Sequence, residues 1–184
     1  MTALASKAQL RMSLLRYALV TVPLVLLLGI VSGRMANSGY GNPWFDALAK
    51  PGFMPPGWVF GVAWTILYIL LGLALAWLLH ARDARWRGVA IGLFLVQLAM
   101  NFAWSPLFFG WHQVGWALAL VAAMIVLTLV LIVLLWRIRR LAALLILPYL
   151  AWLCFAAVLT LSIDRLNPDA SQVAPRPVTT DITL

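Results

Sequence analysis

The sequence predicts an all-α integral membrane protein built as a bundle of five transmembrane helices. Of its 184 residues, 65% are hydrophobic and only 10% are charged, whereas a soluble domain carries about 25% charged residues. The mean hydropathy is +1.00. Apolar residues are concentrated in five uncharged runs, and a helix needs about 20 such residues to cross the hydrocarbon of a bilayer. The runs are apolar on all sides and do not alternate with a period of two, which argues against the strands of a membrane barrel.

Five predicted spans therefore organise the chain, with short connections that make successive helices antiparallel neighbours. They contain no Asp, Glu, Lys or Arg and cover residues 17–33, 58–79, 88–109, 114–136 and 141–163. Residues 1–16 form a basic N-terminal extension and residues 17–166 the membrane domain. We expect residues 167–184 to be a disordered, dispensable tail, because prolines there stand among small polar residues.

The first span has an alternative reading as a cleaved signal peptide. Basic residues precede it, and Val31-Ser32-Gly33 resembles a cleavage site. The run is longer than a usual signal-peptide core, and a transmembrane helix tolerates Pro23. We therefore favour a retained helix.

Basic residues predict the orientation in the membrane. Nine of the 13 Lys and Arg lie in the N-terminus and in the second and fourth connections, and four lie on the other side. The positive-inside rule then places the N-terminus inside and the C-terminus outside. The net charge of +8 flanks apolar runs, so we expect membrane lipid, and not nucleic acid, as the partner of these bases.

The spans lack the residues that most membrane chemistry needs. Proton and ion pumps place ionisable groups within the bilayer, and these spans place none there. His80 and His112 lie at span ends without a Cys or carboxylate at ligand spacing, so we expect no metal site. Catalytic triads and glycine-rich phosphate loops are not discernible, and we predict neither catalytic residues nor an obligatory cofactor.

Aromatic and amide side chains instead mark one face on each of three predicted helices. They are Trp64, Tyr68 and Leu71 in the second span, Gln97, Asn101, Trp104 and Phe108 in the third, and Tyr149, Trp152 and Ala156, with Phe155 beside them, in the fifth. Within each set the spacing is helical. Gln97 and Asn101 must find partners away from water, either on a neighbouring helix or on a ligand. Three such faces in one small bundle predict an apolar ligand pocket with a few polar groups, and core packing is the alternative for any single aromatic residue.

Three sequence blocks, in order across the spans, identify the chain as resembling a known family. They run from Trp44 through Lys50-Pro51, Pro55-Pro56 and Trp58 to Tyr68, from Gln97 to Gly110, and from Pro148 to Ala156. They resemble the translocator protein / tryptophan-rich sensory protein (TspO) family, formerly the peripheral benzodiazepine receptors. The resemblance covers residues 32–167.

The resemblance implies a five-helix bundle, often a homodimer, whose pocket is closed by the loop after the first helix. It implies binding of porphyrins such as protoporphyrin IX and of isoquinoline and benzodiazepine ligands. By motif position, the implied ligand contacts are Phe45, Trp58, Asn101, Trp104, Phe108, Trp152, Phe155 and Ala156, and the lid loop contains Lys50, Pro51, Pro55 and Pro56. Flat ring systems stack well on such aromatic faces. Paired prolines would also lower the entropy lost when the lid becomes ordered.

One departure from the family pattern bears on the ligand. The family usually reads Leu-Asn-aromatic where this chain has Leu159-Thr160-Leu161. The proposed cholesterol motif needs a Tyr at the place of Leu161, ahead of Arg165, so we do not expect cholesterol as a ligand through that motif. This departure and the N-terminus favour a bacterial protein.

The sequence leads to one main functional hypothesis and two alternatives. The main hypothesis is a membrane receptor or sensor that binds tetrapyrroles and regulates their handling or transport. One alternative is light-dependent porphyrin degradation, with Trp58 and Trp152 as radical partners. The other is a dimeric scaffold that acts through partner proteins by way of small residues on a helix face.

Overall fold

The computed structural model describes residues 7–174, with side chains from residue 12 onward. The helices in this range are α1 (Lys7–Met35), α2 (Pro43–Ala47), α3 (Gly57–His80), α4 (Arg87–Ser105), α5 (Val114–Ile138) and α6 (Arg140–Leu166). A π-helical turn, Pro106–Gly110, extends α4, and a short 3-10 turn, Ala170–Gln172, follows α6. Five helices, α1, α3, α4 with its π-helical turn, α5 and α6, are long and apolar enough to cross a membrane. The predicted five-helix membrane bundle is thus confirmed.

The five long helices form a closed bundle whose order differs from their order in the sequence. Packing runs from α1 to α3, α6, α5 and α4, and α4 also contacts both α1 and α3. The expectation that successive helices are close neighbours is met most weakly by α3 and α4, because α1 and α6 occupy the main packing faces of α3. The second and fifth spans consequently lie side by side.

Small residues let α1 and α3 approach closely. A Cβ atom on Gly72 would lie 2.6 Å from the Cα of Val22, which is inside van der Waals contact. At the same crossing the Thr21 hydroxyl donates a hydrogen bond of 2.7 Å to the Gly72 carbonyl. Buried hydroxyl groups find such backbone partners because leaving them unpaired in an apolar setting is costly.

The first helix begins earlier than predicted. Residues 1–16 lie outside the predicted membrane domain, but α1 already begins at Lys7. Residues 7–16 contain good helix formers and neither Gly nor Pro, so nothing ends the helix there. The stretch apolar enough to span the membrane begins at Met12, and residues 1–6 lie outside the described residues.

The predicted disorder of the tail is wrong for residues 167–174. Pro168 follows the C-cap residue Asn167 and prevents α6 from continuing. The chain then turns at Ala170–Gln172 and packs against the loop between α1 and α3, with Ala170 buried. The remaining residues of the predicted tail, 175–184, lie outside the described residues.

Candidate functional site

A cavity of about 610 Å³ lies in the half of the bundle that contains the C-terminal ends of α1, α4 and α6. All five long helices contribute to its wall, and residues 36–56, hereafter the covering loop, form its roof. Its volume lies within the range of about 300–1,000 Å³ that small-molecule sites occupy. The cavity therefore lies where the sequence analysis placed a pocket closed by the loop after the first helix.

The cavity wall brings together nine of the residues predicted from the helix faces or implied as ligand contacts by the family resemblance. These are Phe45, Trp64, Tyr68, Asn101, Trp104, Phe108, Trp152, Phe155 and Ala156. They come from the covering loop and from α3, α4 with its π-helical turn, and α6, so only the tertiary fold assembles them. Their role in ligand binding stays a prediction.

Trp58 does not contribute to the cavity wall. It is 71% exposed on the outer surface of α3. The cavity-facing stripe of this helix is Gly57, Gly61, Trp64 and Tyr68, at helical spacing. Trp58 lies at the edge of that stripe, in the first turn of α3, where an outward indole is typical of the aromatic belt at a membrane interface.

Gln97 is also absent from the cavity wall. It is 2% exposed and lies one turn before Asn101, deeper in the bundle. Its Nε2 donates a hydrogen bond of 2.9 Å to the hydroxyl of Tyr149. Of the two readings left open for this amide, the structure supports a contact between helices.

A hydrogen-bonded polar network forms the floor of the cavity. The Tyr68 hydroxyl donates to Asn101 Oδ1 at 3.1 Å, and Asn101 Nδ2 donates to the Tyr149 hydroxyl at 3.1 Å. The Tyr149 hydroxyl in turn donates a weak hydrogen bond of 3.8 Å to the sulfur of Met124. The network joins α3, α4, α5 and α6, so Asn101 connects helices and faces the cavity at once.

Stacked aromatic pairs form the sides of the cavity. Trp104 and Phe108 lie 5.0 Å apart with nearly parallel rings, and Trp64 and Tyr68 lie 5.2 Å apart in a similar arrangement. Trp152 meets Trp64 edge to face at 6.3 Å. Offset-stacked and edge-to-face contacts of this kind stabilise aromatic clusters, so the walls are preorganised surfaces for a flat ring system.

The roof is held by a short helix in the covering loop. Asn42 caps α2, since its Oδ1 accepts a hydrogen bond of 3.1 Å from the Phe45 backbone N–H, and Pro43 occupies the first helical position. This cap directs Phe45, which is 2% exposed, onto Phe109 with ring centroids 5.2 Å apart. The loop thus contributes an anchored aromatic ring to the cavity.

The four predicted lid residues lie in the covering loop without lining the cavity. Lys50 Nζ donates to the Phe45 carbonyl at 2.7 Å and lies 4.7 Å from the centre of the Phe45 ring. The carbonyl of Pro55 accepts a hydrogen bond of 3.1 Å from the Tyr40 hydroxyl. Pro51 and Pro56 complete the loop, and Pro56 is the N-cap of α3. These residues stabilise the covering loop without contacting the cavity.

Several wall residues were not predicted from the sequence. Tyr40 and Met54 of the covering loop, Phe60 of α3 and Met124 of α5 all line the cavity. Phe60 lies within the first sequence block and Tyr40 just before it, so their proximity to the lid was the available signal. Met124 carries no signal, because a methionine in an apolar span is indistinguishable from a core residue.

His112 is a titratable group beside the roof, in the connection between α4 and α5. Its ring stacks on that of Trp44, with centroids 4.3 Å apart and planes 13° apart. Burial lowers the pKa of His112, and a hydrogen bond with the Phe109 backbone opposes that change. In the part of the chain that the structure describes, no group of three His, Cys, Asp or Glu residues could hold a metal ion.

Comparisons with known proteins place this geometry in context. The sequence profile of the TspO/MBR family matches residues 20–166. The human Translocator protein is 37% identical over 142 residues, which cover 76% of this chain and 84% of that protein. The Tryptophan-rich protein TspO of Archaeoglobus fulgidus is 36% identical over 146 residues, covering 78% and 92%. Protein CrtK of Rhodobacter capsulatus is 34% identical over 126 residues, covering 68% and 79%.

Proposed function

The chain belongs to the TspO/MBR family, and on that premise we propose that it is a membrane receptor that binds porphyrins and regulates their handling or transport. Isoquinoline and benzodiazepine ligands would occupy the same site. The observation that carries the proposal is the cavity of about 610 Å³ with stacked aromatic sides and a polar floor. A porphyrin is flat, largely apolar and carboxylate-bearing, and this site has a complementary surface for each property.

The aromatic walls account for affinity toward the ring. Trp64, Trp104 and Trp152 all line the cavity, and burying one aromatic face against another adds roughly 0.5–1.5 kcal/mol beyond the area removed from solvent. Three such contacts would supply a few kcal/mol with a defined ring orientation. The covering loop then shields the bound ring from water.

Two exposed polar residues of the cavity wall, Arg34 and Asn37, hereafter the cavity mouth, account for recognition of the carboxylates. Arg34, an exposed residue at the end of α1, and Asn37 of the covering loop both line the cavity. A guanidinium binds carboxylates through two parallel hydrogen bonds. We infer that porphyrin propionates point to this mouth and the macrocycle points to the polar floor.

The test is a titration of the detergent-purified protein with protoporphyrin IX, followed by tryptophan fluorescence and the porphyrin Soret band. Trp152→Phe and Asn101→Ala alter the cavity, and Trp58→Phe, on the outer surface, is the matched control. We expect saturable binding that weakens roughly tenfold in the first two variants, since about 1.4 kcal/mol of lost contact corresponds to that factor. Linear, non-saturating quenching that is the same in all four proteins would contradict porphyrin binding in this cavity.

Light-dependent porphyrin degradation is a second candidate. Trp64 and Trp152 lie in mutual contact on the cavity wall, where they could donate electrons to an excited ligand. Trp58, the other radical partner that the family resemblance implied, lies on the outer surface of α3, which favours binding over chemistry. Product formation in light that is lost in Trp152→Phe and kept in Trp58→Phe would support the enzymatic function.

Assembly and orientation complete the proposal. We propose a homodimer in a bacterial membrane with the N-terminus inside, and cholesterol is not proposed as a ligand. Gly88 and Gly92 of α4 leave open space beside the helix, which permits close approach of a second helix. This small-residue face is also where the scaffold alternative would place a partner. Cysteine crosslinking at Gly92 in native membranes tests the dimer.

A further inference from the structure

We propose that residues 167–173, hereafter the strap, fasten the covering loop over the cavity, and that Asn167 is a positioning residue that sets how fast a cavity ligand leaves. The strap follows α6 directly and packs against the covering loop. The ligand part of this inference rests on the proposed function. The mechanical part, that the strap holds the loop, does not.

Asn167 makes the first of two fastenings. Its Oδ1 accepts a hydrogen bond of 2.8 Å from the Ala49 N–H, and its Nδ2 donates one of 2.9 Å to the Ala49 carbonyl. The same Nδ2 donates to the Ile163 carbonyl of α6 at 2.8 Å. One amide thus satisfies both backbone groups of a loop residue while it is anchored to a transmembrane helix. An aspartate could accept the first bond but could not donate the second.

Trp44 makes the second fastening. Its Nε1 donates a hydrogen bond of 2.7 Å to the Ala170 carbonyl, and the two residues are 1% and 4% exposed. The Trp44 ring also packs edge to face on Phe108 with centroids 5.5 Å apart. Because a buried indole N–H without a partner is costly, this bond ties α2 firmly to the strap.

Both fastenings act on the covering loop, which forms the roof of the cavity. Trp44 and Phe45 are consecutive residues of α2, and Phe45 lines the cavity. Other side-chain hydrogen bonds in the described part of the loop join two residues of the loop, such as those of Tyr40 with the Pro55 carbonyl and of Asp46 with the Gly41 N–H. Internal contacts move with the loop when it lifts, whereas the strap contacts must break. The strap contacts therefore form a polar restraint on opening of the covering loop.

The competing explanation is a purely structural role for the strap. The two explanations predict different results of hydrogen exchange. Hydrogen exchange reports local opening separately from global unfolding. We would measure amide exchange by mass spectrometry across residues 42–50 and across α3 and α5, without ligand. The variants are Asn167→Ala, Asn167→Asp and Trp44→Phe. Ser162→Ala, which removes a hydrogen bond from Ser162 to the Val158 carbonyl on the same helix, is the control.

The expected result is faster exchange in residues 42–50 alone. Loss of both hydrogen bonds to Ala49 in Asn167→Ala should accelerate it by roughly tenfold or more. Asn167→Asp should also accelerate it, because the carboxylate keeps the acceptor but faces the Ala49 and Ile163 carbonyls with no donor. The dissociation rate of protoporphyrin IX, followed by dilution and tryptophan fluorescence, should rise by a similar factor. Ser162→Ala should behave as wild type in both assays.

Unchanged loop exchange in both Asn167→Ala and Trp44→Phe would overturn the proposal. So would exchange that rises equally in α3 and α5, since that pattern means global destabilisation. Faster loop exchange with an unchanged porphyrin dissociation rate would overturn the positioning role of Asn167. If wild type binds no porphyrin, the proposed function fails, and the exchange measurement still decides whether the strap holds the loop.

Discussion

Substituting Gly29 by alanine should break the contact between the first helix and the cavity floor. A Cβ atom at this position would lie 2.1 Å from Cε2 of Tyr68 and 2.4 Å from its Cζ, whereas ordinary carbon contacts are about 3.5–4.0 Å. Tyr68 cannot rotate away freely, because its ring stacks on Trp64 and its hydroxyl donates to Asn101. Relief of the clash therefore requires the ring to leave its place in the cavity wall.

The magnitude of this effect follows from three opposing contributions. Overpacking of a filled site costs about 1–3 kcal/mol, and loss of the Tyr68 hydrogen bond adds about 1 kcal/mol. Alanine in place of glycine inside a helix recovers about 1 kcal/mol. The net expectation is a loss of about 1–3 kcal/mol of stability, together with weaker porphyrin binding because Tyr68 is displaced.

The assay for this prediction compares thermal unfolding in detergent of wild type, Gly29→Ala and Gly115→Ala. Gly115, in the first turn of α5, has no atom within 4 Å of the added Cβ, so its substitution should be neutral or slightly stabilising. The double variant Gly29→Ala/Tyr68→Leu should be more stable than the two single changes predict by addition, because the leucine relieves the clash. Gly29→Ala as stable as Gly115→Ala would refute the reasoning.

Two further predictions concern the polar floor and the roof. Tyr149→Phe removes the hydroxyl that accepts from Gln97 and Asn101, and leaving two buried amide donors without that partner should cost about 2–4 kcal/mol; thermal unfolding that matches wild type would contradict it. The folded-state pKa of His112 lies below its ordinary value because of burial, so the unfolded chain binds the proton first and stability should fall as pH drops below about 6.5. Melting temperatures at pH 7.5 and pH 5.5 should differ more in wild type than in His112→Gln, and an equal difference in both would count against a role for this ring beside Trp44.

Helical spacing was sufficient to group several residues of the cavity wall. Asn101, Trp104 and Phe108 were grouped on one face of the third span, and the structure places all three on the cavity. Spacing failed for Gln97, which belongs to the same stripe but lies one turn deeper, where Tyr149 takes its hydrogen bond. Trp58, which the family resemblance and not the spacing implied, lies outside the cavity wall. A tryptophan near a span end can face either the bundle or the membrane interface, and its residue type does not distinguish the two positions.

Local features of the sequence were enough to establish a five-helix membrane bundle of a recognisable family and to predict an aromatic pocket in it. The length of the apolar runs, the absence of charge within the spans and the three ordered motifs are local properties. They do not depend on how the helices pack. Tertiary contacts were needed to show that the second and fifth spans lie together, that the amides join helices, and that residues 167–173 contact the covering loop. The contact between Asn167 and Ala49 joins residues 118 positions apart. No local periodicity encodes such a contact, because it depends on where two distant helix ends meet.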